Sequence, residues 1–358
     1  MRAGGILLVP LLLGGAAHHA ALPSPLATAR TAPDPLRRVV RAWPVMGTVL
    51  TVTVWGRDTV AMLAAVHAAR DSVRLIDSLL STFRPESELS RLNAAAGGPA
   101  LHVSPQTLHV LLQARRDWRL SGGAFDPTVG PLVRAWGFHG TRGRVPPRRE
   151  LDSLRALVGY GAVDIDSSAG TVRLARRGME LDLGGIAKGD ALDRARAALG
   201  GATITGGSVN LGGNVLVFGR PPAGPRWRVA VVHPRRPERA IGAFLLDSGA
   251  VATSGDYEHY YQIDGRRYAH LFVPRTGRTA RGVQATTVVG PRGEWSDGLS
   301  AAFFLIGPAR GSAVADSLPG IAAVWVRDEG TARVRRSAVV RSARARHWFH
   351  FDAALPEP

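Results

Sequence analysis

The sequence predicts an α/β protein of the α+β type, with helices packed on mixed, largely antiparallel sheets, and three observations carry that expectation. Early segments alternate between period-two and helical hydrophobic spacing. A later region is a run of short strands without helices between them, several joined by hairpin signals of which Asp264-Gly265 is the clearest. The glycine-rich turns match neither the P-loop nor the G-x-G-x-x-G pattern of doubly wound nucleotide-binding sheets.

In chain order, residues 1–29 read as a signal peptide: Arg2 is a short positive start, an apolar run extends from Ile6 to about Ala17, and small residues suitable for cleavage lie near Ala20 and Ala29. The run is short for a bilayer span, so export rather than anchoring is expected, with a periplasmic or other extracytoplasmic destination. Residues 30–43 are rich in Pro and Arg and read as a linker. One domain is expected over 44–345, followed by a tail over 346–358. Within the domain, "GTVLTVTVWG" at 47–56 alternates as a half-buried strand, and "TVAMLAAVHAARDSVRLIDSLLS" at 59–81 has the spacing of an amphipathic helix. A second helix is expected over 104–123, closed by Gly122. The runs "ATITGG", "GNVLVFG", "RWRVAVVHP", "YYQIDGRRYAHLFV" and "VQATTVVG" read as strands, and "SDGLSAAFFLIGP" returns to helix.

Composition narrows the function classes. With 358 residues, 45% of them hydrophobic and 20% charged, the chain can bury one large core or two smaller ones. The absence of cysteine excludes disulfides, thiolate metal sites and a lipidated cysteine behind the signal segment. A net charge of +17 fits a nucleic-acid surface, an acidic partner or an arginine-biased composition. Aromatic and arginine residues do not alternate along one stretch, and no zinc-finger or RNA-binding signature is present, so nucleic-acid binding has only charge behind it.

All but one of the 45 basic residues are arginine. The exception, Lys188, lies in "LDLGGIAKGD", where a short strand ends at Asp182, two glycines turn the chain and a helix opens near Ile186. Unpaired N–H groups at a helix start favour an anion, and a lysine in the first turn adds a compact, mobile cation. The bland reading is a glycine turn with an exposed lysine. A second glycine-dense segment, "GGSVNLGGNVLVFG" at 206–219, lets backbone approach a ligand closely. "GGAFDPTVGPLVRAWGF" at 122–138 places a Phe-Asp-Pro turn beside Trp136, which suits either the core or the face of a planar ring. "TSGDYEHYYQIDGRRYAHLFVPRTG" at 253–277 gathers hydroxyls, Asp256, His259 and His270 around one hairpin.

Taken in order, "MGT" at 46–48, "STFRPESELSRLN" at 81–93, "FDPTVGPLVRAWGF", "LDLGGIAKGDALD", "VNLGGN", "TSGDYEHYY", "YAHLFVPRTG" and "SDGLSAAFFLIG" closely resemble the ApbE family of FAD:protein FMN transferases, over about residues 44–310. The resemblance implies an ApbE-like fold that binds FAD and magnesium. It also implies an activity, the transfer of FMN through a phosphoester bond to a threonine of an acceptor flavoprotein with release of AMP. By the same resemblance Met46, Phe83, Ala124, Phe125 and Asp126 match flavin-site positions, and Asp182 and Lys188 match FAD contacts. Asp297 supplies the metal carboxylate, and Gly185 supplies a backbone carbonyl where relatives often carry a hydroxyl. His270 is the candidate for deprotonating the acceptor hydroxyl, because an imidazole titrates in the useful range.

Two positions depart from the family pattern. Val273 stands where a carboxylate is usual, and Ala301 stands where a threonine usually follows the metal aspartate by four residues. Ser300 projects roughly 100° away around a helix and can replace that hydroxyl only after a local shift. These losses leave two other readings: an exported FAD-binding protein with little or no transferase activity, and an FAD hydrolase that yields FMN and AMP.

Overall fold

Strand propensity and period-two burial build an eight-stranded sheet whose strands lie side by side in chain order, every neighbouring pair antiparallel. The computed structural model describes residues 35–351 apart from 141, 202 and 331–334; the expected signal peptide lies outside the described residues. The strands are β1 (Arg37–Val45), β2 (Thr48–Gly56), β3 (Ile204–Leu211), β4 (Asn214–Gly219), β5 (Gly249–Gly255), β6 (Val283–Gly290), β7 (Ala322–Gly330) and β8 (Arg335–Arg341). Helices and small sheets are inserted between these strands. The expectation of antiparallel pairing with packed helices therefore holds.

Alternation sends successive side chains to two cores. On one face Leu50, Val52, Val54, Leu216, Ala250, Val288 and Trp325 pack under helices. On the other, Val217, Val251, Val289, Val324 and Val326 pack against a three-stranded sheet formed by Trp227–His233, Arg236–Leu246 and Phe349–Phe351. The helical face carries α1 (Thr59–Leu80), α2 (Pro105–Leu120), α3 (Ala187–Ala198) and α4 (Gly293–Ser317). Asp58 caps α1 by accepting from the Ala61 N–H, and Ser104 caps α2 by accepting from the Thr107 N–H. Gly122 (φ +63°) and Gly123 (φ +80°) turn the chain just after α2, in the left-handed conformation that glycine accepts without strain. Helix α4 is long and apolar enough to cross a membrane, but half of its apolar stretch is buried, against β5, β6, β7 and α3. Gly307 (φ +71°) and Pro308 kink it.

Two boundaries differ from expectation. Residues 37–43 of the expected linker belong to β1, which pairs with β2 from Arg37↔Gly56 to Val45↔Thr48. β1 is an edge strand, and an edge tolerates the arginines that made the segment look like a linker, as well as the missing N–H of Pro44 just beyond it. The expected tail from 346 begins inside a short helix, Ala345–Trp348, and continues as Phe349–Phe351, which pairs with Gly242–Phe244. Phe349 is buried there beside Phe244, their ring centroids 5.2 Å apart.

Candidate functional site

The site is built where the start of α3 crosses the start of α4. A Cβ on Gly189 would lie 2.3 Å from the Gly293 carbonyl oxygen and 2.7 Å from the Asp297 Cβ, so the backbones meet directly and only glycine fits. That contact puts Asp297, 5% exposed, against the opening turn of α3. Its Oδ2 accepts from the Gly189 N–H at 2.8 Å, and its Oδ1 accepts from the Asn214 amide, at the start of β4, also at 2.8 Å. Burial pushes this carboxyl above the usual carboxylate range, while the Lys188 ammonium and the two hydrogen bonds oppose the shift.

The glycine turn faces the same side of α4. A Cβ on Gly185 would lie 3.3 Å from the Phe125 ring and 3.7 Å from the Ala301 methyl. Ala301 is one turn along from Asp297, so the missing threonine hydroxyl would have projected toward Gly185. The first backbone bonds of the turn close onto the carbonyls of Leu183 and Ile186, which leaves the Gly185 carbonyl without a backbone N–H partner among the described residues. Ser300 does not replace the hydroxyl: its Oγ donates to the Asp297 carbonyl at 2.8 Å and meets Ser254 Oγ at 2.8 Å, on the β5 side of the helix.

Around this centre the charges of Asp182, Lys188, Glu258, His270 and Asp297 act on one another. Burial, the neighbouring His259 and Lys188 depress His270 to about 4, so its imidazole is neutral near pH 7. Its Nδ1 lies 3.2 Å from the His259 carbonyl and donates to it, which leaves Nε2 as an acceptor. Asp182 is held by the Gly184 N–H at 2.9 Å and by His139 Nε2 at 3.2 Å. Burial opposes ionisation there, but the His139 hydrogen bond and the Gly184 N–H outweigh it and leave the carboxyl below its ordinary value. The His139 ring stands edge-on to Phe83, with centroids 5.3 Å apart, and Phe83 is 72% exposed, an open aromatic face next to the imidazole that bonds Asp182.

Other expected residues sit differently. Asp126 is 7% exposed, and its carboxylate is consumed by the Thr128 N–H and hydroxyl and by the Tyr160 N–H, so it shapes the loop that presents half-buried Ala124 and buried Phe125. Met46 (φ +51°) and Gly47 (φ +68°) form the tight turn between β1 and β2, beside the Gly212–Gly213 turn that leads into Asn214. Trp136 is no ring platform. It is 2% exposed, stacks with Tyr268 and donates its indole N–H to the Gly277 carbonyl at 2.9 Å, which satisfies its only polar group in the core. Asp256 is taken by Arg235 through a two-bond pair and by Arg267. Asn214 and His139 were not singled out in the sequence, although Asn214 closes "VNLGGN" and His139 directly follows "RAWGF".

Comparison with known proteins bears on this arrangement. The family model described as ApbE matches residues 46–325. An FAD:protein FMN transferase of Vibrio cholerae is 34% identical over 292 residues, spanning 79% of this chain and 86% of the relative. One from Treponema pallidum is 33% identical over 329 residues, 85% of this chain and 88% of the relative. The crystal structure of the ApbE protein of Thermotoga maritima superimposes with a TM-score of 0.78 at 31% identity, covering 87% of this chain and 99% of that one.

Proposed function

The chain belongs to the ApbE family, and we propose from this that it is an FAD:protein FMN transferase that moves FMN from FAD to a threonine hydroxyl of an acceptor flavoprotein and releases AMP. The observation that carries the reading is Asp297, a buried carboxylate fixed by Asn214 and Gly189 opposite the free Gly185 carbonyl, with the Lys188 charge acting on it. Asp297 and that carbonyl are hard oxygen donors of the kind magnesium takes at a pyrophosphate, where the ion keeps most of its waters. When bound, magnesium would neutralise charge on the bridging phosphates. A retained water suits the space beside Ala301.

In the reaction the acceptor oxygen attacks the FMN-side phosphorus, and the bond to the AMP phosphate breaks in line. His270 is neutral and presents Nε2 as an acceptor for the hydroxyl proton, but its depressed value lies outside the range that the sequence expectation assumed and makes it a weaker base than an ordinary imidazole. Lys188 offsets charge on the phosphates, and exposed Phe83 offers a face to the flavin ring. The amino-terminal segment supports action outside the cytoplasm on an exported acceptor. Purified protein incubated with FAD, magnesium and a threonine-bearing acceptor should yield a covalently flavinylated acceptor and AMP in equal amounts. Free FMN with AMP would assign a hydrolase instead, and unchanged FAD would leave only a binder.

A further inference from the structure

We propose that His109, Asp190 and Glu294 form a second metal site, for a zinc-class divalent ion, distinct from the Asp297 site. The three residues come from α2, α3 and α4 and turn one potential ligand atom each to a common point, all within 4.8 Å of one another. His109 Nε2 lies 2.7 Å from Glu294 Oε2 and 3.7 Å from Asp190 Oδ1. These separations bracket the roughly 3.3 Å between two ligands of a tetrahedral zinc at ordinary bond lengths. An ion replaces the His109–Glu294 hydrogen bond once that pair parts by about half an ångström.

The surroundings have the form of a supported ligand set. The Asp190 and Glu294 side chains are 4% and 1% exposed, and each directs its second oxygen outward to an arginine: Asp190 Oδ2 to Arg194 Nε at 2.6 Å, Glu294 Oε1 to Arg292 Nη1 at 3.2 Å. Such outer contacts fix a carboxylate's orientation at a metal. No protein hydrogen bond among the described residues reaches the inward Asp190 oxygen, which leaves it available to an ion at the cluster. Asp193 accepts from the N–H groups of Gly293 and Glu294 at the opening of α4. The carboxylates of Asp190, Asp193 and Glu294 face the guanidiniums of Arg194, Arg292 and Arg116, and buried Asp117 also acts on Glu294. In the ion-free state the hydrogen bond from His109 Nε2 to Glu294 favours a proton on the imidazole, and the Asp190 charge adds to that preference. A divalent ion competes for the same place. His109 is 35% exposed, which provides the path of entry and an open fourth position for water.

The ligand chemistry separates this site from the one at Asp297. One imidazole nitrogen with two carboxylates suits zinc or cobalt(II), whereas carboxylate and carbonyl oxygens suit magnesium. The test is titration of the tag-free full chain with cobalt(II), without FAD and in excess magnesium, read by visible absorption and calorimetry. One equivalent should bind with the d–d spectrum of a four-coordinate centre. Affinity should rise with pH as the His109 proton is displaced. His109→Gln, at a partly exposed position that tolerates the change, should weaken binding by at least about a hundredfold, beyond the loss usual for an outer contact. Glu294→Gln should do the same, and Asp297→Asn should leave the spectrum intact. Absence of a four-coordinate spectrum in the wild type, or equal affinity in His109→Gln, would overturn the proposal. Neither result touches the flavin-transfer reading, which rests on Asp297.

Discussion

At the scale of single residues, Lys188 is where a compositional oddity meets a geometric role. Its ammonium stands among Glu258, His270 and Asp297, where a phosphate would bring further negative charge. Lys188→Ala should weaken FAD binding or transfer by about tenfold or more, the equivalent of about 1.5–3 kcal/mol for a charge-assisted contact. Equal binding by equilibrium dialysis and equal transfer would make the lysine incidental. Ala301→Thr should lower the magnesium concentration for half-maximal transfer, since it restores an oxygen beside Gly185, and Asp297→Ala should stay inactive at any magnesium level. An unchanged magnesium profile in Ala301→Thr would mean that water already fills the position equally well. His270 supplies a pH test. Its folded value, about 4, lies below the ordinary 6.5, so between those limits the unfolded chain holds the proton that the folded chain refuses. The stability contributed by neutral His270 is therefore complete above pH 6.5 and is lost as pH falls toward 4. His270→Gln should flatten that part of the melting-temperature profile, and an unaltered slope would refute the assignment. Asp297, Gly185 and Ala301 could be named from the sequence because each lies inside a motif that carries the family resemblance. Asn214 and His139 act across 83 and 43 residues of chain, and only folding brings them to their carboxylates. Asp126 shows the converse: the motif marks the residue, but its carboxylate turns back into its own loop.

At the scale of elements, catalytic geometry depends on how closely two helices approach. The Gly189 and Gly293 backbones touch, and the Gly189 N–H that bonds Asp297 lies within the contact. Gly189→Ala must part α3 from α4, an overpacking cost of about 1–3 kcal/mol. It should lower the melting temperature and reduce transfer more than that loss of stability explains, because it moves the N–H away from Asp297. A variant that melts lower yet transfers at the wild-type rate would show that the helix contact serves the fold alone. The sequence exposed the elements themselves through period and turn chemistry: Asp264 (φ +49°) and Gly265 (φ +69°) adopt the tight turn that the dipeptide implies, joining Ile263 to Arg266. Edge strands were harder to read. In β1 only Val39 and Val45 are buried, so the apolar alternation that marks an interior strand is missing, and three arginines interrupt the pattern. The Phe349–Phe351 strand is only three residues long and becomes visible only through its partner in the three-stranded sheet.

At the scale of the whole molecule, 45 basic residues face 28 acidic ones, and the excess is not all available to a partner. Some arginines serve the fold by lying over aromatic faces, as Arg116 does over Trp295 and Arg196 over Phe218, each 4.0 Å from the ring centroid. A planar guanidinium suits that stacking better than an ammonium, one physical use for a nearly lysine-free composition. The remaining positive field acts at long range, and two binding events should sense it differently. In the proposed reading FAD would be held at the partly buried ground between Asp182, Lys188 and Asp297, where screening is weak. A protein acceptor must approach across the whole exposed surface, where the field is cut off within about 8–10 Å at moderate salt. Raising ionic strength should therefore slow transfer to an acceptor with acidic residues around its threonine much more than it weakens FAD binding, and the loss should fall on the association rate. An acceptor whose flanking acidic residues are neutralised should lose most of that salt dependence. If transfer and FAD binding weaken in parallel, or the neutralised acceptor responds to salt as the acidic one does, then the positive excess plays no part in capturing the acceptor.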